Sequence, residues 1–77
     1  MGNGKDWGNL IRIIRAKFGL TQEQFAAKLG VTFASVNRWE NGRVTPSRLA
    51  LRQIEDLLRV LDSEGGALLA EYFENSA

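Results

Sequence analysis

The spacing of small and apolar residues around Gly30 restricts what this chain can fold into more than its composition does. From Thr21 to Gly42 it reads Thr-Gln-Glu-Gln-Phe-Ala-Ala-Lys-Leu-Gly-Val-Thr-Phe-Ala-Ser-Val-Asn-Arg-Trp-Glu-Asn-Gly, two short amphipathic helices joined at one glycine. Ala26 lies four residues before Gly30, Val36 six after it, and Trp39 three after Val36. On two helices that cross steeply, these are the inward positions. Ala26 has to be small where the second helix passes over it, and Gly30 has to lack a side chain if the turn takes positive φ. Val36 and Trp39, at helical i and i+3, fill the space beneath.

Seventy-seven residues make one domain, 1–77, which buries only about 60% of the surface its unfolded form exposes, so the core has to be shared among short helices. The absence of cysteine and histidine excludes a disulfide framework, a Cys/His metal site and histidine or cysteine catalysis. A single proline and little alternation of Val, Ile and Thr leave no convincing strand. No run approaches the ~20 apolar residues of a membrane span, and no signal-peptide pattern opens the chain. The cytoplasm is therefore the expected location, and no membrane, cofactor, metal or small-molecule ligand is indicated.

The net charge of +1 conceals a division along the chain. Met1 to Gln53 holds nine Lys and Arg against three Asp and Glu, a net of +6, while Ile54 to Ala77 holds one Arg against six acids, a net of −5. A basic front and an acidic rear suit a protein with one end turned to phosphate.

The polar, glycine-rich opening at 1–5 reads as a loose arm. Asp6 can cap a first helix in which Trp7, Leu10, Ile11, Ile14 and Phe18 recur at helical intervals, ending at Gly19. Thr21 and Gln24 form a capping box for a second helix, with Leu20 placed to staple onto Phe25. Thr32 caps the third. Thr45 is expected to cap a fourth, with Pro46 at its first position, where a missing amide hydrogen costs nothing. Ala50, Ile54, Leu57, Leu58 and Leu61 mark its apolar stripe. Gly65-Gly66 reads as flexible punctuation before a short fifth helix bearing Leu68, Leu69, Tyr72 and Phe73. The fold class is all-α, five helices in one compact orthogonal bundle. With Val36 and Trp39 inward, the third helix turns Phe33, Ala34, Asn37 and Arg38 outward, with Thr32 at its leading end.

From about Leu10 to Leu61 the chain resembles the phage repressor and Cro (Xre) family, through Gly19-Leu20-Thr21-Gln22, Ala26, Gly30 and Trp39-Glu40-Asn41-Gly42. The resemblance implies a lambda-repressor-like bundle with a helix-turn-helix at 21–40 and sequence-specific binding of double-stranded DNA in transcriptional regulation, usually repression. It implies no enzymatic activity. The outward residues Thr32, Phe33, Ala34, Asn37 and Arg38 would enter the major groove, where Asn fits adenine, Arg fits the acceptor edge of guanine, and an apolar contact fits the thymine methyl. Phe33 departs from the polar residue often found there and serves either as core or as a contact to a thymine methyl or deoxyribose. Gln22, opening the second helix, would bridge a phosphate and the reading helix. Asn41, Arg43, Thr45, Ser47 and Arg48, with Lys17 on the rim, would contact phosphates, positioning the protein without reading sequence.

The same resemblance pairs Arg15 with Glu40 in a largely buried, structural salt bridge between first and third helices. It also makes a homodimer on paired half-sites an attractive partner, so Leu68, Leu69, Tyr72 and Phe73 either form a dimer seam or close the monomer core. Two rival readings stay open: an antitoxin or DNA-targeting module of a larger protein, and a protein-interaction module on the same fold. Catalysis has little support, since Thr21, Thr32, Ser35 and Ser47 stand at helix starts where capping explains most of them.

Overall fold

A computed structural model describes residues 5–74, and within them every regular element is helical. In order these are α1 (Trp7–Phe18), α2 (Gln22–Leu29), α3 (Phe33–Glu40), α4 (Arg48–Val60) and α5 (Asp62–Leu69), the last continuing into a π-helical turn, Ala70–Glu74. The expected N-terminal arm, apart from Lys5, lies outside the described residues. The chain divides into two compact units, 1–46 and 47–77.

In the first unit each helix is started by a side chain. Asp6 accepts from the Asn9 amide at 3.0 Å, and Thr32 accepts from Ser35 at 3.1 Å. At α2 the box closes both ways: Gln24 N donates to Thr21 Oγ1 at 3.0 Å and Thr21 N donates to Gln24 Oε1 at 2.9 Å. Such caps satisfy amides that the helix itself leaves unpaired and contribute about 1 kcal/mol each. Gly19 and Gly30 end α1 and α2 at φ of 69° and 73°, left-handed values that a side chain disfavours. The core of this unit is Leu10, Ile11 and Ile14 of α1, Phe25, Ala26 and Leu29 of α2, and Val36 and Trp39 of α3. Both α1 and α2 pack on α3. Ala26, 3% exposed, is the small residue that this packing requires.

Two expectations fail in the second unit. The cap of α4 is Ser47, not Thr45: Ala50 N donates to Ser47 Oγ at 3.2 Å, and the helix opens at Arg48. Pro46 stands before the cap in non-helical backbone, so its missing amide hydrogen plays no part in the helix. Gly65 and Gly66 are likewise no break, since α5 begins at Asp62 and runs through both.

The reason for Gly65 is contact. A Cβ there would stand 1.8 Å from the Leu58 carbonyl oxygen, so only a hydrogen lets α5 lie this close to α4. The two helices join without a loop, at Leu61 (φ −96°, ψ 62°) and Asp62, whose φ of 21° is positive for a residue other than glycine. Ala50, Ile54 and Leu58 of α4 are buried, as are Leu69 and Tyr72. Leu57, Leu61, Leu68 and Phe73 are half-buried.

Candidate nucleic-acid interface

At about 100° per residue, Phe33, Asn37, Ala34 and Arg38 share one arc of α3, while Trp39, Val36 and Glu40 occupy the opposite one. The burial follows that division. Val36, Trp39 and Glu40 are buried, at 0%, 6% and 8% exposure, whereas Phe33 is 47% exposed. Thr32, Ala34 and Arg38 are also exposed. Phe33 is therefore not core. Its aromatic edge, the Ala34 methyl and the Arg38 guanidinium together offer apolar contact beside hydrogen-bond donors, while the Thr32 hydroxyl is engaged with Ser35, donating to its hydroxyl and accepting from its amide.

Asn37, expected to project outward, is half-buried and already engaged. Its amide nitrogen donates to Gln22 Oε1 at 3.4 Å, and its oxygen accepts from Asn41 Nδ2 at 3.0 Å. These bonds belong to a larger arrangement centred on Glu40. Arg15 donates twice to that carboxylate, from Nε to Oε2 at 2.8 Å and from Nη2 to Oε1 at 3.2 Å. It also reaches the Leu20 carbonyl, at 3.1 Å. Gln22 Nε2 donates to Glu40 Oε1 at 3.0 Å.

The carboxylate dictates direction. An ionised carboxylate only accepts, so Gln22 has to turn its NH2 group inward and its oxygen toward Asn37. Asn37 then presents NH2 to Gln22 and its oxygen to Asn41. The side chains of Arg15, Gln22, Asn37 and Asn41 thus form a line of donors oriented toward one buried acid, which ties the start of α2 to the outward arc of α3. Every buried side-chain nitrogen and oxygen among the described residues has a partner, so the charge carries no orphaned polar neighbour.

Two members of this assembly escaped the sequence reading. Arg12, half of whose side chain is exposed, donates to the Glu40 backbone oxygen and lies 3.6 Å from its carboxylate. Gly8, on the buried side of α1, faces the backbone of α3: a Cβ there would come within 2.7 Å of Glu40 O and 2.9 Å of Trp39 O. Spacing along α1 was a signal for Arg12, since Gly8, Arg12 and Arg15 lie at i, i+4 and i+7 on one face. Nothing local marks Gly8.

Around this face, Lys17, Asn41, Arg43 and Thr45 are exposed and Gln22 is half-buried at the first turn of α2. Arg43 follows α3, its amide bonded to the Arg38 carbonyl at 3.0 Å, with Gly42 turning the chain at φ of 74°. Ser47 and Arg48, grouped with them in the sequence, open α4 in the second unit, where the Ser47 hydroxyl is taken as a cap. Of the four C-terminal residues considered for a dimer seam, Leu69 and Tyr72 are buried within the chain.

A profile of the helix-turn-helix family matches residues 11–63. Among curated proteins, an HTH-type transcriptional regulator of Archaeoglobus fulgidus is 42% identical over 62 residues, covering 70% of this chain and 89% of the relative. One from Methanothermobacter thermautotrophicus is 38% identical over 65 residues, covering 73% and 93%. The HTH-type transcriptional regulator YazB of Bacillus subtilis is 34% identical over 58 residues, covering 75% and 84%. No solved structure gives a significant match. Among the described residues, no helix is long and apolar enough to cross a membrane.

Proposed function

The chain belongs to the Xre-type helix-turn-helix family of non-enzymatic, DNA-binding transcriptional regulators, and we propose that it is a repressor which reads double-stranded DNA by placing α3 in the major groove. The observation that carries this reading is the bond from Gln22 to Glu40, continued to Asn37. It couples the first turn of α2, whose free amides and dipole suit a phosphate, to the arc of α3 that would face the bases. A clamp and a reading surface joined by hydrogen bonds present one fixed register to a duplex, and a protein seated in that register excludes others from the same stretch.

Within this reading Arg38 carries base recognition, because its planar fork matches the two acceptors of guanine. Phe33 and Ala34 meet thymine methyls, and Thr32 adds a hydroxyl at the groove edge. Asn37 contributes through the bonding capacity its two internal contacts leave. Gln22, Lys17, Asn41, Arg43 and Thr45 hold the phosphates, without sequence information.

Selection of bound duplexes from a random pool tests the reading, and a selected site placed across a promoter should lower expression of a reporter. If one domain neutralises ~3 to 4 phosphates, the log–log salt slope should be about −3. Arg38→Ala should relax preference at one base pair, a discrimination of about 1 to 3 kcal/mol, while Arg43→Ala should weaken all sequences alike and reduce the slope by about 1. A uniform loss from Arg38→Ala, measured on single-base variants of the site, would remove α3 from the groove.

A further inference from the structure

The second unit holds a cavity that serves neither the core nor the reading arc of α3. About 460 Å³ in volume and open to solvent, it is lined by Arg48, Leu49, Leu51, Arg52 and Glu55 of α4 and by Phe73 of the π-helical turn. That volume falls within the roughly 300 to 1,000 Å³ of small-molecule sites. Leu51 and Phe73 are half-buried while Arg48 and Arg52 are exposed, so apolar surface lies inward and charge toward the mouth. Turns of π-helix are rare and gather at functional sites, and this one supplies the aromatic wall.

The charges decide the sign of an occupant. Four residues apart on one helix, Arg48 and Arg52 are separated by about 6 Å along the axis and about 40° around it, and like charges so placed repel. Among the described residues neither makes a hydrogen bond or an ion pair. Glu55, the one acid of the lining, is bonded to Arg59 at 3.0 Å. Its charge is answered there, and the cavity keeps two uncompensated guanidiniums. A planar guanidinium matches a carboxylate through paired N–H donors. Leu49, Leu51 and Phe73 decide the rest of the occupant, because a bare phosphate would leave them facing water, whereas an apolar body would cover them and could stack on the aromatic ring.

We propose that this cavity binds a small organic carboxylate with a flat apolar body, the carboxylate on Arg48 and Arg52 and the body against Leu51 and Phe73. The inference is independent of the DNA-binding assignment, in which none of these residues is given a base or a phosphate.

Titration of the isotope-labelled full chain with naphthylacetate, without DNA and followed by amide NMR, tests it. Shifts should concentrate at residues 48–55 and at Phe73. The dissociation constant should be about a millimolar, as about fourteen heavy atoms at ordinary ligand efficiency give. Naphthylethanol keeps the body without the charge, acetate keeps the charge without the body, and inorganic phosphate offers charge alone. Each should bind roughly tenfold more weakly or worse. Arg48→Gln and Arg52→Gln each remove one guanidinium at an exposed position and should weaken naphthylacetate by about tenfold. Lys28→Gln, an exposed cation of the first unit, should leave its binding unchanged. Far-UV circular dichroism checks that the variants keep their helices. Absence of saturable shifts around the cavity overturns the proposal, as does naphthylethanol binding equally well, or a Lys28→Gln loss equal to that of the two arginine variants. Equal binding of inorganic phosphate overturns it too, and would make Arg48 and Arg52 contacts for a nucleic-acid backbone.

Discussion

The helix ends of the first unit and the α4–α5 junction of the second are built on different terms. Through α3, each helix is opened by a side chain a few atoms from the amide it satisfies, and α1 and α2 close on a glycine in left-handed backbone. At the junction α5 has no side-chain cap, its first residue, Asp62, has φ of 21°, and Gly65 is admitted only by the absence of a Cβ. The first region is specified by short-range chemistry that would favour the same conformation in an isolated peptide. The second depends on a contact seven residues away along the chain, made after α4 exists.

The strongest test of that contrast is Gly65→Ala. The added Cβ would meet backbone, the Leu58 oxygen at 1.8 Å and the Leu58 carbon at 2.9 Å, so no rotamer change relieves it. Such overlap exceeds ordinary overpacking, and the substitution should cost about 4 kcal/mol or detach α5 from α4. Thermal melts followed by far-UV circular dichroism measure the loss. An unchanged midpoint would mean that α5 is held by something other than this contact.

What the sequence disclosed follows the same line. The capping box at Thr21 and Gln24, the cap at Thr32 and the left-handed turn at Gly30 were legible because donor and acceptor lie within four residues of each other. The inward set of Ala26, Val36 and Trp39 was legible from period alone. The start of α4 was misplaced because Thr45 and Ser47 are both hydroxyl residues beside Pro46, and only the Ala50 amide chooses between them. Gly8 and Gly65 were not legible as close neighbours of Glu40, Trp39 and Leu58, since in each case the reason lies on another helix, and Arg12 was marked only by the face it shares with Arg15. The bond between Arg15 and Glu40 was expected only from a family resemblance, because a separation of 25 residues carries no local signal. At the candidate interface, the amide line through Asn37 was missed for a related reason: a helical wheel assigns a residue to a face, while its hydrogen bonds depend on the neighbouring helix.

That amide line gives the first unit its own long-range dependence, and it can be tested by removing one charge. Arg15→Ala leaves the Glu40 carboxylate, 6% exposed in its side chain, without its two-bond partner. The expected cost is about 3 kcal/mol, reduced somewhat because Arg15 is 23% exposed and Arg12 remains nearby. Combining it with Glu40→Leu removes the stranded charge and should recover part of the loss. Denaturant unfolding of both single variants and the double variant decides the matter. Additive losses would show that the two side chains contribute independently, and the buried acid would then orient nothing.

The smallest predicted effect has the opposite sign and concerns the adjacent glycine. Gly66 lies in α5 one residue beyond Gly65, is exposed, and has nothing within 4 Å of where a Cβ would stand. No positive φ requires glycine there, for among the described residues the left-handed glycines are 19, 30 and 42. A glycine inside a helix is less favourable than alanine by roughly 0.5 to 1 kcal/mol, because the unfolded chain gives up more backbone freedom. Gly66→Ala should therefore stabilise the protein by about that amount, while its neighbour does the reverse. A shift of a few degrees upward in the melting temperature is the expected reading. If Gly66→Ala destabilises instead, the segment from Asp62 to Leu69 is not helical through the glycine pair, and the pair is the flexible break that the sequence suggested. The two alanine substitutions, one residue apart, thus separate a helix admitted by a close approach from a loop that happens to lie beside one.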